Sequence, residues 1–143
     1  MAKKRMFSPQ VVASDAFLAL PFTAQALYIQ LNLEADDDGI IGAPLRITRS
    51  IGAGEDDLKA LTGARFLLAF PSGVMVVKHW LINNAIKLDR YTPSTFTDER
   101  AALKIKPDNR AYTTKGKGIS IDAFIKAKRS TNGAQAEHKR AVD

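Results

Sequence analysis

Apolar and polar residues along the first 90 positions follow the spacing of several short helices. The clearest pattern spans residues 24–34, where Thr23 offers a hydroxyl as the N-cap. Its apolar positions recur at i, i+3, i+4 and i+7 and therefore share one helix face: Ala24, Leu27, Tyr28 and Leu31. A shorter helical turn is expected to begin at Ser14 and to end before Pro21. Three apolar side chains of that turn are expected to point inward: Phe17, Leu18 and Leu20.

Two further helices are predicted on either side of a glycine-containing break at residues 52–54. The first starts at Pro44, which suits the first turn of a helix, and runs to about residue 51. We expect it to bury Leu45, Ile47 and Ile51. The second covers residues 55–64 and opens with three acids that favour a helix N-terminus: Glu55, Asp56 and Asp57. Two short helices joined in this way form a helix-turn-helix pattern.

A β-hairpin is predicted after the second of these helices. Two apolar, β-prone runs at residues 66–70 and 74–77 flank a three-residue loop that contains glycine. Upstream, an aspartate-rich turn at 36–39 precedes Ile40-Ile41, which is long enough only for a very short strand. Taken in order, the elements predict an α+β winged helix-turn-helix, with a three-helix core and a β-hairpin wing. This winged-helix domain, with a basic N-terminal arm, would occupy residues 1–90.

Residues 91–143 are interpreted as a basic linker and tail. Apolar residues are sparse from position 91 to 118, and prolines and glycines interrupt them. Ser120 is placed to cap one short helix over residues 121–129. We expect residues 131–143 to be disordered, because their composition is mostly small and polar.

Charge is distributed unevenly between these two regions. The chain of 143 residues has a formal net charge of +6 and a sequence pI near 9.7. Residues 1–90 contain ten basic and nine acidic side chains, whereas residues 91–143 contain eleven basic and six acidic ones. A basic second half would attract an anionic partner, of which DNA is the commonest, although a solubilising tail has the same composition.

Composition excludes several other classes of protein. Hydrophobic residues make up 45% of the chain, which is ordinary for a globular domain. There is no cysteine, so disulfides, zinc ribbons and cysteine nucleophiles are excluded, and a cytoplasmic location fits. No apolar run reaches the length of a membrane span, so no membrane partner is expected.

Catalytic chemistry is not expected either, because no residue cluster has the required spacing. His79 and His138 are the only histidines, and His79 is interpreted as a half-buried structural residue. The acidic turn at 36–39 does not match a calcium loop. The glycines at 52 and 54 lack the rest of a phosphate-binding motif. We therefore predict a protein that is not an enzyme and that has no catalytic residue, metal ligand or cofactor.

DNA contact through the second helix of the helix-turn-helix is disfavoured by charge. The N-terminal residues of that helix approach the bases in ordinary readers, and here they are acidic. Non-specific, salt-sensitive contact through other cations acting as a set is the alternative, although for any single cation an ordinary surface charge is the favoured interpretation. The candidates are Lys3, Lys4, Arg5, Arg46, Arg49, Lys78, Lys87, Arg90, Lys126, Lys128 and Arg129. Three aromatic residues lie among the later cations and are candidates for stacking on unpaired bases: Tyr91, Phe96 and Tyr112.

Several ordered motifs within residues 4–93 resemble one family. They are Lys4-Arg5-Met6-Phe7-Ser8, Ser14-Asp15-Ala16-Phe17-Leu18, Ala24-Gln25-Ala26-Leu27-Tyr28, Ala35-Asp36-Asp37-Asp38-Gly39, His79-Trp80-Leu81-Ile82-Asn83-Asn84 and Asp89-Arg90-Tyr91. Together they resemble the N-terminal domain of phage replisome organisers, which are related in architecture to DnaD-like primosome proteins. The resemblance implies a winged helix that acts in the initiation of phage DNA replication. It also implies self-association and a host replicative helicase or helicase loader as partner.

Three hypotheses therefore follow from the sequence. The first is a replication scaffold that contacts DNA non-specifically, or as single strands, through its basic arm and tail. The second is a winged-helix transcriptional regulator of a specific operator, which footprinting would reveal. The third is a protein-interaction module without DNA binding, for which truncation after Tyr91 would leave DNA-binding assays unchanged.

Overall fold

A computed structural model describes the backbone of residues 4–142 and the side chains of residues 4–131. Its secondary structure is mixed α+β, as predicted. The helices are α1 (Pro9–Val12), α2 (Asp15–Leu18), α3 (Phe22–Glu34), α4 (Pro44–Ser50), α5 (Glu55–Gly63), α6 (Trp80–Asn83), α7 (Thr97–Ala102) and α8 (Ile121–Val142). The strands are β1 (Ile40–Ile41), β2 (Leu67–Ala69), β3 (Met75–Val77), β4 (Lys104–Ile105), β5 (Tyr112–Thr113) and β6 (Ile119–Ser120).

Residues 4–80 build a helical core against a three-stranded antiparallel sheet. The sheet has the order β1-β3-β2, and the predicted hairpin pairs Leu67 with Val77 and Ala69 with Met75. The apolar face predicted for α3 is confirmed, because Ala24, Leu27, Tyr28 and Leu31 are all 0% exposed. Edge-to-face aromatic contacts join Tyr28 to Phe17 and Phe66 beneath this face. From α2 to β3 the helices and strands follow the predicted order, and α1 is an additional helix that was not predicted.

Several predicted details in this region are wrong. Helix α3 begins at Phe22 with Pro21 at its N-cap, and the Thr23 hydroxyl instead donates to Asp57 Oδ1 at 2.7 Å. Leu18 is 58% exposed, because the four residues of α2 turn only Phe17 inward.

Helix α4 also buries different residues from those expected. Its inward face consists of Pro44, Ile47 and Thr48, at i, i+3 and i+4. Leu45 therefore points away from the core, and Ile51 lies beyond the helix as its C-cap, so both are exposed.

The prediction of a linker over residues 91–118 is also wrong. This segment contains α7 and most of a second antiparallel sheet of order β5-β4-β6. Its apolar residues are buried together with two from α8: Leu103, Ile105, Ala111, Tyr112, Ile121 and Ile125. Strands of two residues carry too little alternation to be detected in a sequence, which explains the error.

Helix α8 begins at Ile121, as predicted, and continues to Val142. It passes the predicted end at residue 129 and covers most of the stretch that was expected to be disordered. Alanine, lysine, arginine, glutamine and glutamate are common in its second half, and all of them favour helix. The division into a folded domain of 1–90 and a tail of 91–143 is therefore not the one that the structure has.

A buried carboxylate fastens the second sheet to the turn before β1. Asp38 is 0% exposed, and its carboxylate accepts hydrogen bonds from the Ser94 amide at 2.8 Å and the Tyr91 hydroxyl at 2.6 Å. Arg100 Nε donates to the same carboxylate at 3.0 Å, and the Tyr112 hydroxyl donates to the Asp38 carbonyl at 2.8 Å. Residues from 91 to 112 are thus anchored on one acidic residue.

Candidate nucleic-acid interface

Backbone hydrogen bonds bring cations from four separate segments to the same neighbourhood. The Lys78 amide donates to the Phe66 carbonyl at 3.2 Å, which places Lys78 beside the chain that follows Arg65. The Lys78 carbonyl accepts the Tyr112 amide at 2.9 Å, so the end of the hairpin lies against β5. The loop that leads into β5 is closed by the Arg110 amide, which donates to the Lys106 carbonyl at 2.9 Å. Lys106 and Arg110 therefore lie close to Lys78.

The same surface continues to α8 and to the segment after α6. Lys128 Nζ donates to the Ile86 carbonyl at 2.6 Å, which holds this part of α8 against residues 86–87. Burial lowers the pKa of Lys128, and the positive charges of Arg110 and Lys87 lower it further. Burial likewise lowers the pKa of Lys78, followed by the charges of Lys106 and Arg65. We call these six residues the basic band: Arg65, Lys78, Lys87, Lys106, Arg110 and Lys128.

No member of the basic band forms an ion pair with an acidic side chain within the described part of the chain. Ion pairs among the described residues involve the cations Arg5, Arg90 and Arg100, and none of these belongs to the band. Like charges that lie together without ion-pair partners repel one another and leave a local excess of positive potential. Binding of an anion to such a surface is favourable, because the anion relieves the repulsion between the cations.

Two arginines of the band have a backbone conformation that favours glycine. Arg65 has φ 64° and Arg110 has φ 63°. Arg65 lies just beyond α5, where its amide donates to Thr62 and the Phe66 amide donates to Leu61, the pattern of a Schellman motif. The left-handed conformation costs an L-residue about 1–2 kcal/mol. A side chain retained at that cost is a feature of functional sites.

Of the three acidic residues at the start of α5, Asp57 has structural contacts, whereas the other two face solvent. Asp57 Oδ2 accepts the Gly54 amide at 3.0 Å, and Asp57 Oδ1 accepts the Thr23 hydroxyl. Glu55 and Asp56 are exposed at the same helix end. A DNA groove would therefore meet carboxylates at α5, as the sequence predicts.

The predicted basic arm does not form one surface. Lys3 lies outside the described residues, and Lys4 is exposed. Arg5 is buried, with its side chain 5% exposed. Its guanidinium donates to the Ala35 carbonyl at 2.6 Å and lies 5.0 Å from the centre of the Trp80 ring. The Arg5 side chain therefore has a structural role, and the prediction that it contacts DNA is wrong.

The remaining predicted cations divide into two groups. Lys78, Lys87 and Lys128 belong to the basic band. Five others are exposed on α4, on α8 and near the N-terminal segment: Lys4, Arg46, Arg49, Lys126 and Arg129. Arg90 is also exposed, with its side chain 71% accessible.

The sequence interpretation missed Arg65, Lys106 and Arg110. Arg65 directly follows the predicted helix, which ends at Ala64, and a search for basic residues at helix C-termini would have found it. Lys106 and Arg110 fell within the supposed linker, whose folding brings them to Lys78.

Base stacking on the predicted aromatic residues is not supported by their environment. Tyr112 is 0% exposed. The Tyr91 hydroxyl donates to Asp38, and its ring is half-buried. Phe96 is half-buried near Gly42, where an added Cβ would lie 2.5 Å from the ring. Tyr112 therefore offers no ring face for stacking, and the other two rings are only partly exposed.

His79 has the environment of a neutral core residue. Burial, followed by the positive charge of the adjacent Lys78, lowers its pKa to about 4. The His79 ring lies 5.6 Å from that of Phe66, centre to centre. Across residues whose placement is described, no group of three or more histidine, cysteine or acidic side chains is arranged to hold a metal ion.

Comparison with known proteins gave no match to a family model, a curated protein or a solved structure. Within the described residues, no helix combines the length and apolarity needed to cross a membrane.

Proposed function

We propose that this chain is a non-enzymatic, DNA-binding accessory protein of phage DNA replication, which acts in the cytoplasm as a winged-helix scaffold. The observation that carries the proposal is the basic band, six cations held together without an acidic partner among the described residues. The winged-helix assignment rests on the order of helices and strands and on the β1-β3-β2 pairing. The replication role rests on the resemblance of residues 4–93 to replisome organisers.

The band contacts phosphates in this proposal, and DNA sequence is not read. Lysine and arginine side chains on loops and strand ends neutralise phosphates and release counterions, which supplies affinity for any sequence. The acidic start of α5 keeps that helix away from a groove. This arrangement favours a scaffold over a regulator that recognises one operator. Self-association and a host replicative helicase or loader as partner complete the proposal, on the strength of the resemblance.

A charge-matched pair of triple variants tests the location of the interface. Lys78→Gln, Lys106→Gln and Arg110→Gln remove three charges from the band, whereas Arg46→Gln, Arg49→Gln and Lys126→Gln remove three exposed charges elsewhere. Fluorescence anisotropy measures the affinity for a short DNA duplex at several salt concentrations. Each lost phosphate contact reduces the slope of log affinity against log salt concentration by about 0.9, so the slope for the first variant should be shallower by about 2–3. Equal effects of the two variants would mean that only net charge matters.

A second test exploits the strained arginines. Arg65→Gly and Arg110→Gly remove a charge and also relieve the left-handed backbone, which offsets the entropic cost of glycine. We expect weaker DNA binding together with a free energy of unfolding that is unchanged or higher by up to about 1 kcal/mol. If these variants unfold more easily and bind DNA normally, the arginines are structural and the proposal is wrong.

A further inference from the structure

A cleft of about 690 Å³ lies between the N-terminal segment and the chain that follows α6. This volume is within the range of pockets that hold a small ligand or a few residues of a peptide. Its lining includes three exposed cations and three aliphatic side chains: Lys4, Lys87, Arg90, Met6, Ala85 and Ile86. Lys87 is shared with the basic band, whereas Lys4 and Arg90 are not.

Positive charge dominates the described lining of the cleft. Asp37 is the one carboxylate among these lining residues, and its side chain is 8% exposed. It accepts the Thr92 amide at 3.0 Å and lies 3.9 Å from a guanidinium nitrogen of Arg5, so its charge is offset within the fold. Arg90 pairs with Asp89 at 3.8 Å, but both side chains are more than 70% exposed, and such a pair contributes little. A ligand therefore meets exposed cations.

The accessible apolar surface of the cleft is aliphatic. Trp80 is 2% exposed, and the Arg5 guanidinium covers one face of its ring. The Tyr91 hydroxyl is engaged by Asp38 and Arg100. By contrast, Met6 is 48% exposed, and the flexible methionine side chain adapts to many apolar partners. An apolar side chain of a ligand would therefore find an exposed aliphatic surface to cover.

We propose that this cleft binds an acidic peptide segment of a partner protein. Carboxylates of the segment pair with Lys4, Lys87 and Arg90, and a large apolar residue covers Met6 and Ala85. Charge complementarity selects the acidic chemistry, and the exposed aliphatic side chains select a peptide over a nucleic acid. The site shares Lys87 with the basic band, but peptide binding does not depend on phosphate binding by the band.

The test measures anisotropy of a fluorescein-labelled peptide, Gly-Asp-Glu-Leu-Asp-Asp-Phe-Gly, with the full chain. Two unlabelled analogues compete: one has asparagine and glutamine for the acids, and the other has serine for leucine and phenylalanine. We expect each analogue to compete at least about tenfold more weakly than the parent peptide, because binding needs both the charges and the apolar contact. No binding of the parent at about 1 mM chain would overturn the proposal.

Variants then locate the site. Lys4→Glu with Arg90→Glu should weaken peptide binding about tenfold or more, and so should the neutral Met6→Ser. The matched control, Lys115→Glu with Lys117→Glu, changes two exposed lysines outside the cleft and should reduce binding far less. Thermal melts confirm folding of each variant.

Single-stranded oligothymidylate separates this proposal from the DNA-binding one. Its binding should fall equally in the Lys4/Arg90 variant and in the control, because both carry the same net charge. A larger loss of oligothymidylate binding in the cleft variant would assign the cleft to nucleic acid, and equal loss of peptide binding in both variants would reduce the peptide contact to net charge. Either result refutes the peptide site while leaving the role of the basic band to its own experiment.

Discussion

Removing the Arg100 side chain should loosen the second sheet from the rest of the fold. In the structure, Arg100 Nε lies 3.0 Å from Asp38 Oδ2, and a terminal nitrogen of the same guanidinium donates to the Tyr91 hydroxyl at 3.1 Å. Asp38 is fully buried, so Arg100→Ala leaves its carboxylate without a countercharge. The Ser94 amide and the Tyr91 hydroxyl would still donate to it.

The magnitude follows from these contacts. Breaking a buried ion pair by removing one partner costs about 3–5 kcal/mol. The lower end, about 3 kcal/mol, applies here because two donors to Asp38 remain. For a chain of this length, that loss lowers the melting temperature by about 10 °C. Urea denaturation followed by fluorescence of Trp80, the single tryptophan, measures the free energy of unfolding directly.

Asp122 supplies a matched control on the same arginine. Its hydrogen bond at 2.8 Å is the largest influence that raises the pKa of Arg100, ahead of the charge of Asp38. Nevertheless, the Asp122 side chain is 81% exposed, and exposed pairs contribute about 0–1 kcal/mol. We therefore expect Asp122→Asn to cost less than about 1 kcal/mol.

Two outcomes would refute this reasoning. One is a cost below about 1 kcal/mol for Arg100→Ala, which would mean that the buried pair contributes no more than a surface pair. The other is a loss as large for Asp122→Asn as for Arg100→Ala. Amide hydrogen exchange gives an independent reading, since Arg100→Ala should accelerate exchange in β4 and β5 more than in α3.

Three further predictions concern the core. Trp80→Ala should cost about 3–5 kcal/mol in urea denaturation, because the indole is 2% exposed and its Nε1 donates to the Asp37 carbonyl, and a cost below about 1 kcal/mol would contradict its place in the core. The pKa of His79 is lowered to about 4, so protonation of the unfolded chain should reduce the free energy of unfolding as pH falls from about 6.5 towards 4. His79→Leu should flatten that decline. An unchanged pH profile of the free energy of unfolding would show that His79 is not its source. Gly42→Ala would place a Cβ 2.5 Å from the Phe96 ring, so it should lower the free energy of unfolding by about 1–3 kcal/mol. In a Phe96→Ala background the same substitution should lower it by less. If the effects of the two substitutions were purely additive, the clash would be excluded.

The first half of the fold was predictable because its information is local. Ala24, Leu27, Tyr28 and Leu31 repeat with helical spacing within one segment, and the hairpin brings together runs only a few residues apart. The second half depends on contacts between distant positions. Arg100 meets Asp38 across 62 residues, and Tyr112 meets it across 74. No periodicity in the sequence indicates such pairs, so the folded segment 91–118 had the appearance of a linker.

The candidate interface shows the same division. Lys78, Lys87 and Lys128 were identified from charge alone, but charge alone also selected Arg5, which the fold buries. The strained conformations of Arg65 and Arg110 exist only in three dimensions. A sequence can list cations, whereas only the fold distinguishes those that remain without acidic partners.

Several acidic side chains near the first sheet are hydrogen-bonded or buried within the fold, so the net charge understates the positive potential at the basic band. Asp36 accepts the amides of Asp38 and Ile40 at 3.0 Å, and Asp37 accepts the Thr92 amide. Asp38 is fully buried, and Asp57 caps α5. Carboxylates engaged in this way are poorly placed to neutralise exposed cations on another face. The positive potential at the basic band should therefore exceed what a net charge of +6 spread over the whole surface would give, and this is why we place the anionic partner there and not at α5.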